Sequence, residues 1–266
     1  MRATALVYHD VLGDGGRDDS GFAGAAALSY KLTETQFHRH LDLIAAGLGA
    51  GAPRCLPDRD AVTTIDDAVV LTFDDGGASA PTRILRALQE RGWRAHFFVT
   101  TDFIGTRGFM KPEGLRELHS AGHVIGSHSV SHPMRMSYLA HEAIWREWCD
   151  SRARLEDLLG APVRVASVPG GYYSRTVATA AAEAGIRVLF TSEPRRSVTT
   201  VDGIAVVGRF SVTRRTPDHH VVSLASGRHR AALQQRLTWG AKKVAKRMGG
   251  ELWLTARRKL FELQRR

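Results

Sequence analysis

Ala68-Val69-Val70-Leu71-Thr72-Phe73-Asp74-Asp75-Gly76 is an apolar run that empties into two adjacent carboxylates and a glycine. Its length and β-branched content, closed by turn residues, read as a buried strand. Paired negative charge beside a core must be neutralised or hydrated, so a cation is expected next to Asp74 and Asp75. A second reading of the same residues is a turn whose carboxylates cap a helix starting near Pro81.

Runs of the same kind recur at Ala5–His9, Ala95–Thr100, His123–Ser127, Val163–Val168, Ile186–Thr191 and Ile204–Phe210, giving seven candidate strands in all. Helical patterns alternate with them at Thr33–Leu48, opened by Thr-x-x-Gln, and at Ala80–Arg91, Pro112–Ala121, Tyr138–Leu159 and Ser174–Ala184. Gly92, Gly122, Gly160 and Gly185 stand at helix stops. The alternation implies right-handed crossovers and an α/β fold with a mostly parallel sheet, open or closed into a barrel. Polar residues end nearly every run: His9, Asp74 with Asp75, Thr101 with Asp102, His128, Pro169 before two glycines, and Ser192 with Glu193. In parallel α/β folds these ends share one face, where sites gather. Gly13–Ala27 reads as a mobile loop after the first strand, and Ala50–Asp67 as a longer connection.

The 266 residues, 43% of them apolar, suffice for a sizeable core. Cys55 and Cys149 are too few and too scattered for a disulfide framework or a thiolate metal site. A metal would therefore use His and carboxylate. The N-terminal residues do not read as a signal peptide and no run approaches the roughly 18 apolar residues of a membrane span, so a cytoplasmic, non-spanning protein is expected. Residues 228–266 hold twelve Lys or Arg against Glu251 and Glu262, which accounts for the whole formal charge of +10. Residues 1–227 are formally neutral, so the chain divides into a 1–227 domain and a 228–266 basic tail.

His128-Ser129-Val130-Ser131-His132 places two imidazoles four residues apart. His119 and His123 have the same spacing and read as surface and loop residues. An Asp and two His on neighbouring strand ends supply three protein ligands and leave a position for water. A divalent metal there lowers the pKa of water from 15.7 toward about 7, and the second carboxylate is placed to take its proton.

Thr72-Phe73-Asp74-Asp75-Gly76 and His128-Ser129-Val130-Ser131-His132, in this order, resemble the first two motifs of the polysaccharide deacetylase family, also called NodB-homology or carbohydrate esterase family 4. The resemblance implies a distorted (β/α) barrel of about seven parallel strands. It also implies Asp74 as catalytic base and Asp75, His128 and His132 as ligands of a metal, usually zinc. Val7-Tyr8-His9-Asp10 is similar to an element of the circularly permuted poly-N-acetylglucosamine deacetylases, in which the His is the catalytic acid. His9 would then protonate the leaving amine, with Asp10 as a partner.

The third motif departs from the family pattern. Where Arg-x-Pro is usual, the chain reads Ser167-Val168-Pro169-Gly170-Gly171-Tyr172-Tyr173, so the Arg that holds the base is Ser167 here. Pro169, Gly170, Gly171 and Tyr172 still form a loop whose backbone N–H groups can approach an oxyanion. Arg164 would face the wrong side of its strand. Arg209, at the end of the seventh run, is the other basic residue considered for the missing role. The Asp and Trp of the family's later motif are not evident around Ser192–Arg196.

The tail pairs Leu233, Leu237, Val244 and Met248, and then Leu252, Ala256, Leu260 and Leu263, with basic residues at helical spacing. Trp239, Trp253 and Phe261 suit headgroup depth on an anionic membrane surface. The competing reading is a helix packed on the barrel with a solvated basic face. No nucleic-acid motif accompanies the charge. The expected function is removal of N-acetyl groups from amino sugars of a glycan or lipid-linked glycan precursor on the inner membrane face. Hydrolysis of another amide or a cyclic imide is one alternative, and a non-catalytic glycan-binding scaffold that keeps the metal site is the other.

Overall fold

The computed structural model describes residues 1–49, 51–227 and 231–240. Strands occupy Ala3–Tyr8 (β1), Val11–Leu12 (β2), Leu32–Thr33 (β3), Ala68–Phe73 (β4), His96–Val99 (β5), Val124–Ser127 (β6), Val165–Ser167 (β7), Val188–Phe190 (β8), Thr199–Val201 (β9), Ile204–Val207 (β10) and Arg209–Ser211 (β11). Helices are Ala25–Leu28 (α1), Glu34–Leu48 (α2), Arg59–Thr63 (α3), Leu85–Gln89 (α4), Pro112–Ser120 (α5), His141–Leu159 (α6), Arg175–Glu183 (α7) and Asp218–Ala225 (α8). Thr33 opens α2 through a capping box with Gln36, and a left-handed Gly160 closes α6.

Nine strands form one sheet in the order β11-β1-β4-β5-β6-β7-β8-β10-β9, parallel throughout except for β9. Alternation along the strands sorts side chains into two layers. Leu6 and Tyr8 of β1 and Val69, Leu71 and Phe73 of β4 face the helices, packing with Phe37, Leu41, Ile44 and Leu115. Ala5, Val70, Phe98, Val165, Phe190 and Val207 meet in an interior cluster. That cluster joins strands from both halves of the sheet order, so the sheet is curled.

The expected α/β fold with a mostly parallel sheet is present, and the single seventh strand is corrected. Ile204–Phe210 is two strands, β10 beside β8 and β11 beside β1. Among the described residues the ladder is open, with β11 and β9 as its ends, and the run through Gly208 carries the chain from one side of the order to the other. A Cβ on Gly208 would lie 2.4 Å from the Glu193 carbonyl oxygen and 2.3 Å from Arg195 Cγ. Only glycine permits this close approach.

His123, expected at the surface, is buried and its Nδ1 accepts from the Ala95 amide at 3.2 Å. Residues 231–240 are helical, and the Gln235 side chain both accepts from and donates to the Ser211 backbone, covering the edge of β11. Leu233 and Leu237 point outward, 56% and 68% exposed. The remainder of the tail, including Val244, Met248, Trp253 and Phe261, lies outside the described residues. Among the described residues no helix is long and apolar enough to cross a membrane.

Gly208→Ala is expected to lower the unfolding free energy by about 1–3 kcal/mol, read from urea denaturation. Gly15→Ala, where a Cβ meets nothing within 4 Å, should leave it unchanged or raise it slightly.

Candidate active site

The ends of β1, β4, β6, β7 and β11 bring together His9, Asp74, Asp75, His128, Ser167 and Arg209. Register sets the first pair: Tyr8 lies opposite Phe73, and the Asp74 amide donates to the Tyr8 carbonyl at 3.0 Å. His9 and Asp74 therefore leave neighbouring strands at the same level. Asp75 then turns back with φ +78°. Neither carboxylate caps the helical turn that follows, which disposes of the capping reading.

Asp75 Oδ1 lies 3.5 Å from Nε2 of His128 and 3.5 Å from Nε2 of His132. One ligand atom from each of the three residues falls within 4.8 Å of the others. Two imidazole nitrogens and a carboxylate oxygen are a donor set suited to zinc or a similar divalent cation, so the residues fit the metal that the sequence resemblance implied. His128 is held by a 2.9 Å hydrogen bond between Nδ1 and the Ser167 carbonyl, which leaves Nε2 toward Asp75. The serines between the histidines shape their loop. Ser129 Oγ accepts from the His132 amide at 3.0 Å, and Glu147 accepts from the Val130 and Ser131 amides at 2.8 and 2.9 Å.

Asp75, Ser129 and His132 are three of the five non-glycine residues with positive φ in the described chain. Such backbone costs on the order of 1–3 kcal/mol per residue and persists where the surroundings enforce it. Its concentration here marks a site held against local preference.

Asp74 sits in a different environment. Arg209, 0% exposed, meets it in a two-pronged pair, Nη1 to Oδ1 at 2.6 Å and Nη2 to Oδ2 at 2.8 Å. The other donors of the fork reach Thr72 Oγ1, Ser167 Oγ and the Thr191 carbonyl at 3.1, 2.6 and 3.2 Å. All five guanidinium N–H groups are thus used. Ser167, in turn, donates to Asp74 at 3.3 Å. The guanidinium that the third motif lacks is supplied from β11, with Ser167 hydrogen-bonded to both members of the pair. Arg164 is exposed and takes no part.

Burial pushes the Asp74 carboxyl upward, but the Arg209 charge, followed by His128, outweighs it and holds the group below the usual carboxylate range. Asp75 is likewise lowered, its burial outweighed by the His128 hydrogen bond and by the charges of His9, His128 and His132. Burial and the neighbouring His128 push His132 down to about 4, leaving its imidazole neutral. In His128 burial acts downward and is outweighed by Asp74 and Asp75, so its value rises.

His9 packs its ring 4.9 Å from that of Tyr30, and its buried Nδ1 has no hydrogen-bond partner among the described residues. Asp10, expected beside it, turns away to accept from Ser20 and Ser79 at 2.5 and 2.8 Å. Gly170 and Gly171, with φ +63° and +69°, form a tight turn after Pro169 that lets the loop approach the Met134 carbonyl. Gly13–Ala27, expected to be mobile, is pinned at several points, and Phe22 from it packs on His132 at 4.9 Å. Tyr30, Glu147 and Phe22 carry no motif and escaped the sequence reading.

Residues 61–189 match the family model for polysaccharide deacetylase. Over that segment, just under half of its length, the chain is similar to the polysaccharide deacetylase family. The matched segment contains Asp74, Asp75, His128, His132 and the Pro169–Tyr172 loop, whereas His9 and Arg209 lie on either side of it. Chitin deacetylase 1 of Cryptococcus neoformans is 31% identical over 147 residues, 54% of this chain and 30% of that protein. The chain spans less than half the length of the first curated relatives it matches. Among solved structures, the Streptococcus pyogenes deacetylase PplD superposes with a TM-score of 0.70 at 16% identity, covering 85% of this chain and 98% of that one. IcaB from Ammonifex degensii gives 0.64 at 22% identity, covering 88% and 97%. These similarities show a shared deacetylase fold.

Arg209→Met is expected to cost about 3–5 kcal/mol of stability at pH 7, because it strands a buried carboxylate. The stability that Asp74 lends through its depressed value is present above its unfolded value of 3.8 and is lost as pH falls through the lower folded one. The deficit of the variant should therefore shrink in acid. Arg164→Met should change stability by less than about 0.5 kcal/mol. Urea denaturation at several pH values reads both.

Proposed function

We propose that this protein is a metal-dependent hydrolase that removes N-acetyl groups from amino sugars of a glycan or lipid-linked glycan precursor. The observation that carries the reading is the juxtaposition of the Asp75, His128 and His132 cluster with a second carboxylate, Asp74, that Arg209 keeps ionised. Asp75, His128 and His132 would hold the cation. A divalent metal supplies a lowered water pKa and polarisation of the acetyl carbonyl.

The chain's own groups do the rest. Asp74 accepts the proton of the attacking water, and its pairing with Arg209 keeps it oriented and free of a proton beforehand. His9, level with Asp74 on β1, delivers a proton to the departing amine. Tyr30 packs against that ring and fixes its plane. The backbone of Gly170, Gly171 and Tyr172 faces the carbonyl oxygen as it gains negative charge. Ser167 in place of the family's Arg would by itself favour a non-catalytic scaffold, but Arg209 reaches the base directly and weakens that reading. Hydrolysis of another amide or a cyclic imide would use the same groups.

The family match begins after β1, and β1 lies between β11 and β4. This supports a permuted order in which the strand bearing His9 comes first. We assign to the basic residues of 228–266 contact with an anionic membrane surface from the cytoplasmic side, on the strength of their charge.

With zinc added, the protein should release acetate from N-acetylglucosamine oligomers or a lipid-linked N-acetylhexosamine. Asp74→Asn and His9→Ala should each lower the rate about 10²–10⁴-fold with zinc content unchanged, while His128→Ala should lose the zinc. No acetate from any such substrate, or equal rates for wild type and Asp74→Asn, would contradict the proposal.

A further inference from the structure

The two imidazoles that face Asp75 are oriented by different means. His128 is fixed by its Nδ1 contact with the Ser167 carbonyl. The His132 backbone is bonded to Ser129, yet among the described residues no hydrogen bond fixes its ring. Apart from Asp75 Oδ1, 3.5 Å from its Nε2, the ring's contacts are aromatic: Phe22 at 4.9 Å, tilted by 50°, and His128 at 5.1 Å. Phe22 is itself held edge-on by Phe103 and Phe109, at 4.9 and 5.0 Å.

Phe22 arrives there on a strap, residues 18–22, whose composition gave no hint of order. Lys31 gathers it. Its ammonium, 2% exposed, donates to Asp18 Oδ1, the Ser20 carbonyl and the Phe22 carbonyl at 2.5, 2.5 and 2.7 Å. Three protons meet three acceptors within five residues of one segment, which offsets the cost of burying the charge. From the other side Ser20 Oγ donates to Asp10 and accepts from the Ser79 amide at 2.7 Å, and the Gly21 amide donates to the Gly108 carbonyl at 2.6 Å. Asp19 takes both prongs of Arg83 at 3.1 and 3.3 Å. The strap is thus locked along its length, and its one aromatic side chain rests on a prospective ligand.

We propose that this strap is the orienting device of the metal site, with Phe22 and Lys31 as positioning residues that hold the His132 ring ready. The inference rests on reading Asp75, His128 and His132 as metal ligands. Outer groups that orient a ligand are worth 10–100-fold in metal affinity. Coupling is reciprocal, so a bound metal must tighten the strap by the same factor.

The test uses the full chain, with zinc affinity measured by competition with a chromophoric chelator and strap order by amide hydrogen exchange. Phe22→Ala and Lys31→Met should weaken zinc about 10–100-fold, while Phe22→Tyr, which keeps the ring, should stay within about threefold of wild type. Phe22→Leu, which keeps apolar volume, serves if the alanine variant does not fold. Zinc should slow exchange across residues 18–22 in wild type and lose that effect in Phe22→Ala or Phe22→Leu. Wild-type affinity in Phe22→Ala and Lys31→Met, or strap exchange indifferent to zinc, overturns the proposal alone, provided that His128→Ala abolishes binding. If wild type binds no more zinc than His128→Ala, the metal reading falls and takes the proposal with it.

Discussion

The buried pair between Arg209 and Asp74 is the constraint on which the rest of the structure turns. A guanidinium with no exposure carries a desolvation cost of several kcal/mol, and it is tolerated because each of its five donors meets an acceptor. Those acceptors come from β4, β7 and the residue after β8. Arg209 itself opens β11, immediately after the glycine where the last β run passes from one side of the sheet order to the other. The contact that orders the sheet ends is therefore also the one that sets the charge of the site.

From that contact follows the separation of two adjacent carboxylates. Asp74 continues the strand and is claimed by Arg209, whereas Asp75, in a left-handed conformation, is directed at the two histidines. A sequence neighbour in the same conformation could not serve both partners, so the strained backbone at Asp75 is the means of the division. Ser167 fits this scheme. Its small side chain lies beside the Arg209–Asp74 pair and bonds to both, and its carbonyl orients His128.

What was legible in the sequence had a local physical cause. β4 spans Ala68–Phe73 as read, because a buried strand leaves an unbroken apolar run, and α2 starts where Thr33 and Gln36 form their capping box. The demand for a cation near Asp74 was also legible, since burial of charge follows from the run itself. Its source was less so, for Arg209 lies 135 residues away. The split of Ile204–Phe210 hid behind continuous β-forming residues, with Gly208 as the sole sign. Gly13–Ala27 misled for a similar reason. Its Gly and Asp content resembles a mobile loop, but the acids are matched by Thr35, Lys31 and Arg83, partners that only the fold brings near. His123 shares the spacing of the site histidines and is buried like His128, but its Nδ1 is taken up by the Ala95 amide, which spacing does not encode.

The central claim is that Asp74 stands ionised beside the cluster of Asp75, His128 and His132 because Arg209 holds it. The most direct measurement is the titration of the Asp74 carboxyl carbon by NMR in the wild-type protein. The account predicts a midpoint below the ordinary aspartate value of 3.8. A midpoint at or above that value would contradict it.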